Sequence, residues 1–292
     1  MQLSSNTRYM TAIRLLRRLQ QPFGRGLLYL LAAFFALVLL FPALWMVLSS
    51  VKTTADIYAL PPRWIPTQIV WKNYTEAWNL LPFGRFFLNS TIITILSTVG
   101  TLVSSSLVGY GFSRFDVRGK DVLFMFVLGT MMLPDAATLV PRFILFSKLK
   151  WLDTFLPLVV PPWFGSPFFI FLFRQFFMSI PHDLDDAARI DGCGYVSVFL
   201  RVVIPLSGPA FATVFIFSFL WTWNDFLYPL VFLNSKENLT AAVGLVFFRG
   251  ANYTQWGYVM AMSTLATIPV VALFALLQRY YVQGIAITGI KA

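Results

Sequence analysis

Apolar residues run along this chain in long blocks, and polar residues gather in the gaps between them. A helix of about 20 apolar residues matches the hydrocarbon thickness of a bilayer. Such blocks lie near 27–48, 86–111, 122–146, 156–178, 207–232 and 257–281, which predicts an all-α membrane protein with six transmembrane helices. An even number of spans leaves both chain ends on one side. The first block, from about Gly26 to Leu48, is too long for a signal-peptide core and has no small-residue cleavage pattern behind it, so it reads as a true span. Internal prolines do not veto these assignments, because neighbouring helices re-satisfy the backbone groups that proline frees. Pro134 and Pro141 are expected to kink the third span, and Pro161 with Pro162 the fourth. The chain then divides into an N-terminal segment 1–26, a membrane domain 27–281 containing a polar loop 179–206, and a tail 282–292.

Composition agrees with this pattern. Hydrophobic residues make up 58%, charged residues 12%, and the mean hydropathy is +0.73, against about 45–50% apolar and about 25% charged in soluble domains. The net charge of +10 raises nucleic acid as a partner, but the 22 basic residues are scattered between apolar blocks and form no stripe or arm. One cysteine, Cys193, excludes an internal disulfide, and one histidine, His182, argues against a transition-metal centre. Residues 1–26 carry Arg8, Arg14, Arg17, Arg18 and Arg25 with no acid, which predicts a cytoplasmic amino terminus; the other loops add only a weak bias. Segment 49–85 then lies outside. It holds Trp64, Trp71 and Trp78 with Pro61, Pro62 and Pro66, as either a structured cap or a plain aromatic belt.

The most charged stretch lies between the fourth and fifth spans. Pro181 suits a helix start, and Asp183, Asp185 and Asp186 fall in the first turns, where carboxylates complement the positive helix end. Ala187 and Ala188 favour helix, and Gly192 can take the left-handed conformation that ends one. A second helix over about 195–203 would present Val198, Phe199, Val202 and Val203 before Pro205 breaks it. Two short helices at an angle around a small-residue turn form an elbow shaped to dock; the plainer alternative is an amphipathic loop lying on the membrane surface.

These residues also match a specific pattern. Asp186-Ala187-Ala188, Gly192 and Pro205-Leu206 resemble the EAA motif of ABC importer permeases, in which E-A-A, three residues, then G stand ahead of a P-L pair. Asp186 replaces the usual glutamate, so any ion pair to an ATPase is rebuilt at shorter reach. Trp223-Asn224-Asp225-Phe226 with Pro229-Leu230 is similar to the fifth-span signature of the carbohydrate class. Gln278-Arg279-Tyr280, Gly284-Ile285 and Gly289-Ile290-Lys291 resemble its ending, and Met132-Leu133-Pro134 with Pro141 its third span, although Asp135 stands where a small residue is usual. The resemblance covers about residues 30–292 and is closest to the maltose-transporter type of subunit.

The resemblance implies a type I ABC importer permease fold in a bacterial cytoplasmic membrane, with both termini cytoplasmic. It implies a homologous second permease, two cytosolic ABC ATPases and a periplasmic or extracellular solute-binding protein as partners. Asp186, Ala187, Ala188, Asp191, Gly192 and Pro205 become candidate ATPase-coupling residues. The chain has no G-x-x-x-x-G-K-[ST], so ATP and magnesium are expected on the partner ATPases, and no nucleophile accompanies His182 for a catalytic triad. The chain is therefore expected to be no enzyme itself.

Ionisable residues inside a membrane are costly and usually face a cavity or a partner. Asp225 and Asn224, with Trp221, Trp223 and Tyr228, are candidate pathway residues, because aromatic rings pack on sugar faces and carboxylates accept hydroxyl bonds. The bland reading of Asp225 is a buried pair with Arg249 or Arg142. Asp135 is a candidate where proline unwinds the backbone. Asn89, Ser90, Thr91, Thr94 and Ser104 to Ser106 read as close helix packing. Cargo other than a sugar (a polyol, glycerol phosphate or acidic oligosaccharide) fits the same motifs. An ion-coupled transporter and a receptor or structural subunit are the readings from other classes.

Overall fold

A computed structural model describes residues 3–249 and 254–288, with side chains at 26, 28–249 and 254–278. The side chains of Arg8 to Arg25, Arg279 and Tyr280, and the Gly289-Ile290-Lys291 ending, lie outside the described residues. The described residues are predominantly helical. Leu28–Ser50, Phe83–Arg114, Leu156–Met178 and Trp256–Gln278 are each long and apolar enough to cross a bilayer. The bent pairs Lys120–Thr130 with Asp135–Lys148 and Tyr195–Leu206 with Gly208–Trp223 bring the total to six if each is one span.

The third predicted span is broken, not kinked: its two helices meet at 93°. Pro134 has no N–H and sits in extended backbone at ψ 136°, so the ladder stops there, while Pro141 is carried inside the second helix. The fourth span is interrupted by the turn Pro161–Phe164 and by Gly165 at φ +91°. The fifth stops at Trp223 and restarts as Leu227–Phe232.

Pro205 does not end the elbow's second helix at 203 as expected. The helix continues to Leu206 and turns by 80° around Ser207. Residues Phe199–Val203 form a widened π-turn, with Ile204 N–H bonding Phe199 O, and such a turn makes room for a ring that would clash with the carbonyl four residues back. Ser207 Oγ then closes the end by donating to Val203 O at 2.7 Å.

Phe83–Arg114 is an uninterrupted helix of 32 residues and belongs to both apolar cores. Its first half packs Phe83, Phe86 and Ile93 with Phe146, Phe232 and Met262. Its last turns pack Tyr110 with Phe173, Phe177, Val198 and Phe199. At Gly109 a Cβ would meet Phe173 Cβ at 2.8 Å and Arg174 N at 3.1 Å, so only glycine lets this helix and Pro167–Met178 approach so closely. Ser104 and Ser105, read from the sequence as packing residues, and Ser97 on the same helix do more. Ser97 donates to Leu158 O at 3.0 Å, Ser104 to Pro162 O at 3.0 Å, and Ser105 accepts from Ser166 N at 3.1 Å. They satisfy backbone that the broken fourth span leaves open.

Segment 49–85 is a built cap. Trp64 packs on Trp45 and Phe41 of the first helix, and Trp78 on Phe83. Lys52, 1% exposed, sits over the Trp45 ring and donates to Arg63 O at 2.7 Å. Burial lowers its pKa, opposed by the charge of Asp56. Asp56 accepts from Thr67 N and Oγ1 and from Arg63, and these bonds bring its pKa down to about 2.

At the same end Asp153, held at φ +61°, clasps the 232–238 connection. Its N–H bonds Phe232 O, and its carboxylate accepts from Ser235 Oγ, Ser235 N and Asn234 N. These bonds lower its pKa from 3.8 to about 2. A carboxylate whose folded pKa is depressed adds stability that is present above its unfolded value and is lost as pH falls through the folded one. Thermal unfolding in detergent is expected to show wild-type stability dropping between pH 4 and 2. Asp153→Ala should start lower at pH 7 and lose less across that window, with Asp56 supplying the remainder.

Candidate functional site: a groove at the helix breaks and an elbow

The breaks in the third, fourth and fifth spans converge on one groove of about 470 Å³. Its walls come from Ser90 and Ile93, from Asp135, Arg142 and Phe146, from residues 157–165, and from Trp221, Asp225, Tyr228 and Phe232. Helix Gly208–Trp223 has 16 residues, so Asp225 stands about 24 Å beyond the elbow's second turn at 1.5 Å per residue. Unwound backbone at that depth is tolerated where it lines a cavity.

Four of the predicted pathway residues meet in this groove: Asp135, Trp221, Asp225 and Tyr228. Asp225 Oδ1 accepts from Tyr228 N at 3.3 Å and starts the short helix Leu227–Phe232. The Trp221 indole leans on Phe169 with its ring 5.0 Å away and is half exposed. The other two candidates lie elsewhere. Trp223 is buried, its Nε1 donates to Ala266 O at 3.0 Å and its ring stacks on Phe219, so it fastens helix Gly208–Trp223 to the last helix. Asn224 donates to Leu220 O at 2.8 Å and stays off the groove wall. The break explains the split: helix Gly208–Trp223 ends at Trp223 and Leu227–Phe232 begins a new one, so the residues of this motif do not share one helical face.

Arg142 is not the partner of Asp225. Its Nη2 lies 3.9 Å from Asp135 Oδ1, and its Nη1 donates to Tyr228 Oη at 3.1 Å. Asp135 and Arg142 both stand on helix Asp135–Lys148, about two turns apart. Thr240 was missed: it is 5% exposed, lines the groove, and its Oγ1 has no hydrogen-bond partner. The groove therefore offers two carboxylates, one guanidinium, a phenol, a free hydroxyl and an indole face. Such a set binds hydroxyl groups in several directions and stacks a ring.

At the far end lies the elbow. Asp183–Ile190 is helical, and Gly192 follows at φ +86°. Gly192 N bonds Arg189 O and Cys193 N bonds Ala188 O, each at 2.9 Å, the paired closure of a glycine-ended helix. Asp186, Ala187, Asp191, Gly192 and Pro205 are exposed, and Ala188 is half-buried. Leu184, Tyr195, Val196, Leu200 and Ile190, the last 87% exposed, give the tip an apolar surface bordered by acids. Asp185, grouped by sequence with its acidic neighbours, is instead buried and paired with Arg114.

A helical chain with broken membrane spans around a polar groove and a projecting elbow has the architecture of a membrane transport component. The family of binding-protein-dependent transport system inner membrane components matches residues 9–287, and the chain belongs to that family. It is 36% identical over 262 residues to the probable ABC transporter permease protein YurM of Bacillus subtilis, covering 88% of this chain and 85% of that one. It is 33% identical to the arabinooligosaccharides transport system permease protein AraQ of Bacillus subtilis, with coverage of 88% and 92%. The sn-glycerol-3-phosphate transport system permease protein UgpE of Yersinia enterocolitica is 33% identical, with coverage of 85% and 91%. Among solved structures, a bacterial ABC transporter involved in the import of the acidic polysaccharide alginate superposes with a TM-score of 0.77 at 24% identity, covering 87% of this chain and 94% of that one. That likeness shows the fold, the one predicted from the sequence: an all-α, type I ABC importer permease.

Proposed function

We propose that this chain is one permease subunit of an ABC importer that moves a sugar or oligosaccharide across the bacterial cytoplasmic membrane, with a homologous second permease completing the pore. A solute-binding protein delivers cargo at the 49–85 cap, and two cytosolic ABC ATPases bind ATP and magnesium and grip the elbows. The subunit is a conduit and carries no chemistry of its own. Both termini, segment 1–26 and tail 282–292, are cytosolic, as is the loop 179–206. Asp186, Ala187, Ala188, Asp191, Gly192 and Pro205 form the coupling element, and Asp135, Asp225, Trp221 and Tyr228 line the route.

The single observation that carries this reading is the exposed, glycine-closed elbow on a chain of the permease family. The groove supports a polyhydroxyl cargo. The glycerol phosphate relative makes an anionic cargo the second reading, and Arg142 is the cation available in the groove for it. Copurification from detergent tests the assembly: a nucleotide-binding protein and a second permease are expected, with bound solute identifying the cargo. Uptake into proteoliposomes should need ATP and stop with vanadate. Gradient-driven, vanadate-insensitive uptake would replace this reading with a secondary transporter.

A further inference from the structure

The elbow and the groove lie at opposite ends of one helix, and polar contacts join both to it. Arg114, the last residue of Phe83–Arg114, places Nε 3.0 Å from Asp185 Oδ2, and its Nη2 donates to Ile180 O at 3.1 Å. Both side chains are nearly sealed, with 1% and 5% of their surface exposed. One turn earlier Tyr110 Oη donates to Tyr195 O at 3.3 Å, and its ring lies 4.8 Å from Phe199. Both arms of the elbow therefore touch the last two turns of the same helix.

At the other end, Asn89 Nδ2 donates to Glu237 O and Leu239 O at 2.8 and 2.9 Å, and Ser90 Oγ accepts from Ala241 N at 2.9 Å. Thr240, held between those bonds, is a groove wall. No proline interrupts the 32-residue helix that carries both ends, a rod along which Ser90 and Arg114 stand about 36 Å apart at 1.5 Å per residue. We propose that the buried Arg114–Asp185 pair is a transmission contact: it hands displacement of helix Asp183–Ile190 to the rod, and the rod moves the Thr240 wall of the groove. This rests on the reading of the elbow as the ATPase-docking element, and it makes Arg114 and Asp185 positioning residues.

A second feature of the pair points the same way. Arg114 Nε and Nη1 and Asp185 Oδ1 are buried without hydrogen-bond partners, so the 3.0 Å contact is an ion pair without a hydrogen bond at Nε. Unmet charged groups in a sealed site are costly. A small rotation to a two-pronged guanidinium-carboxylate contact would satisfy them. The pair thus has a second arrangement within reach, as a link between two states of a helix bundle requires.

The test uses the whole complex in proteoliposomes with its binding protein. Asp185→Asn is expected to assemble with the ATPases and keep basal ATP hydrolysis within about twofold, while cargo-stimulated hydrolysis and uptake fall about tenfold or more. Asp185→Glu, which keeps the charge, should recover part of the uptake. Removing one member of a buried pair leaves an orphan charge, whereas replacing both with apolar side chains does not. Arg114→Met with Asp185→Leu should therefore regain wild-type thermal stability yet still fail to couple. Uptake that returns together with stability in the double variant, or uptake by Asp185→Asn within about twofold of wild type, overturns the transmission role. Failure of the wild-type chain to retain ATPases in a complex that still takes up cargo would instead overturn the docking reading beneath it.

Discussion

Replacing Gly192 with proline is expected to abolish uptake and to strip the ATPase subunits from the purified complex. Gly192 has φ +86°, and proline is fixed near about −65°. Its N–H bonds Arg189 O at 2.9 Å, and proline has none to offer. The closing turn must reorganise, which re-aims Asp186 on one arm against Tyr195 and Val196 on the other. Alanine separates conformation from crowding, because nothing lies within 4 Å of a Cβ built at this position. The left-handed conformation costs a residue with a Cβ about 1–2 kcal/mol, so Gly192→Ala should weaken ATPase retention by about tenfold. Copurification stoichiometry and uptake read both variants. A proline variant that transports normally would remove the elbow from the mechanism.

Arg142→Ala is expected to cut uptake by about tenfold or more while leaving the ATPases bound, the reverse of the Gly192 phenotype. Arg142 joins two walls of the groove, through Asp135 on its own helix and Tyr228 on another. Without it, Asp135 loses its 3.9 Å cation contact and Tyr228 Oη its guanidinium donor, and no other described groove-lining residue carries a positive charge. Arg142→Lys keeps the charge but loses the planar fork, so it should restore uptake only in part. Transport assays and cargo-stimulated ATP hydrolysis distinguish these outcomes. Normal uptake by the alanine variant would move the route elsewhere.

The spans were legible because bilayer thickness leaves a coarse imprint: a block of apolar residues needs no partner to be recognised. The elbow was legible for a different reason. Gly192 and the acids before it act through local backbone geometry, which sequence spacing encodes directly. The groove was legible only in part. Asp135, Asp225, Trp221 and Tyr228 could be nominated as costly or amphipathic residues inside spans, but the motif that carried Asp225 carried Trp223 and Asn224 with it. Which of those faces the groove depends on where the fifth span breaks, a tertiary outcome. Asp185 shows the same limit more sharply. It is one of three acids in a first turn, and only the approach of Arg114 from a helix about 70 residues earlier in the chain makes it a buried charge. The path of the backbone through Pro205 depended on a π-turn that has no simple residue signature.

The three interruptions around the groove have a mechanical consequence. Residues 131–134, Gly165 and residues 224–226 lie outside regular helix, so no continuous ladder of backbone bonds crosses them. Torsional change can concentrate at these joints while the segments on either side travel as stiff bodies. Because Ile93, Phe146 and Phe232 belong to both the groove wall and the first core, bending at these joints reshapes the groove by sliding one face of that core, while the second core around Phe173 and Phe177 stays outside the groove lining.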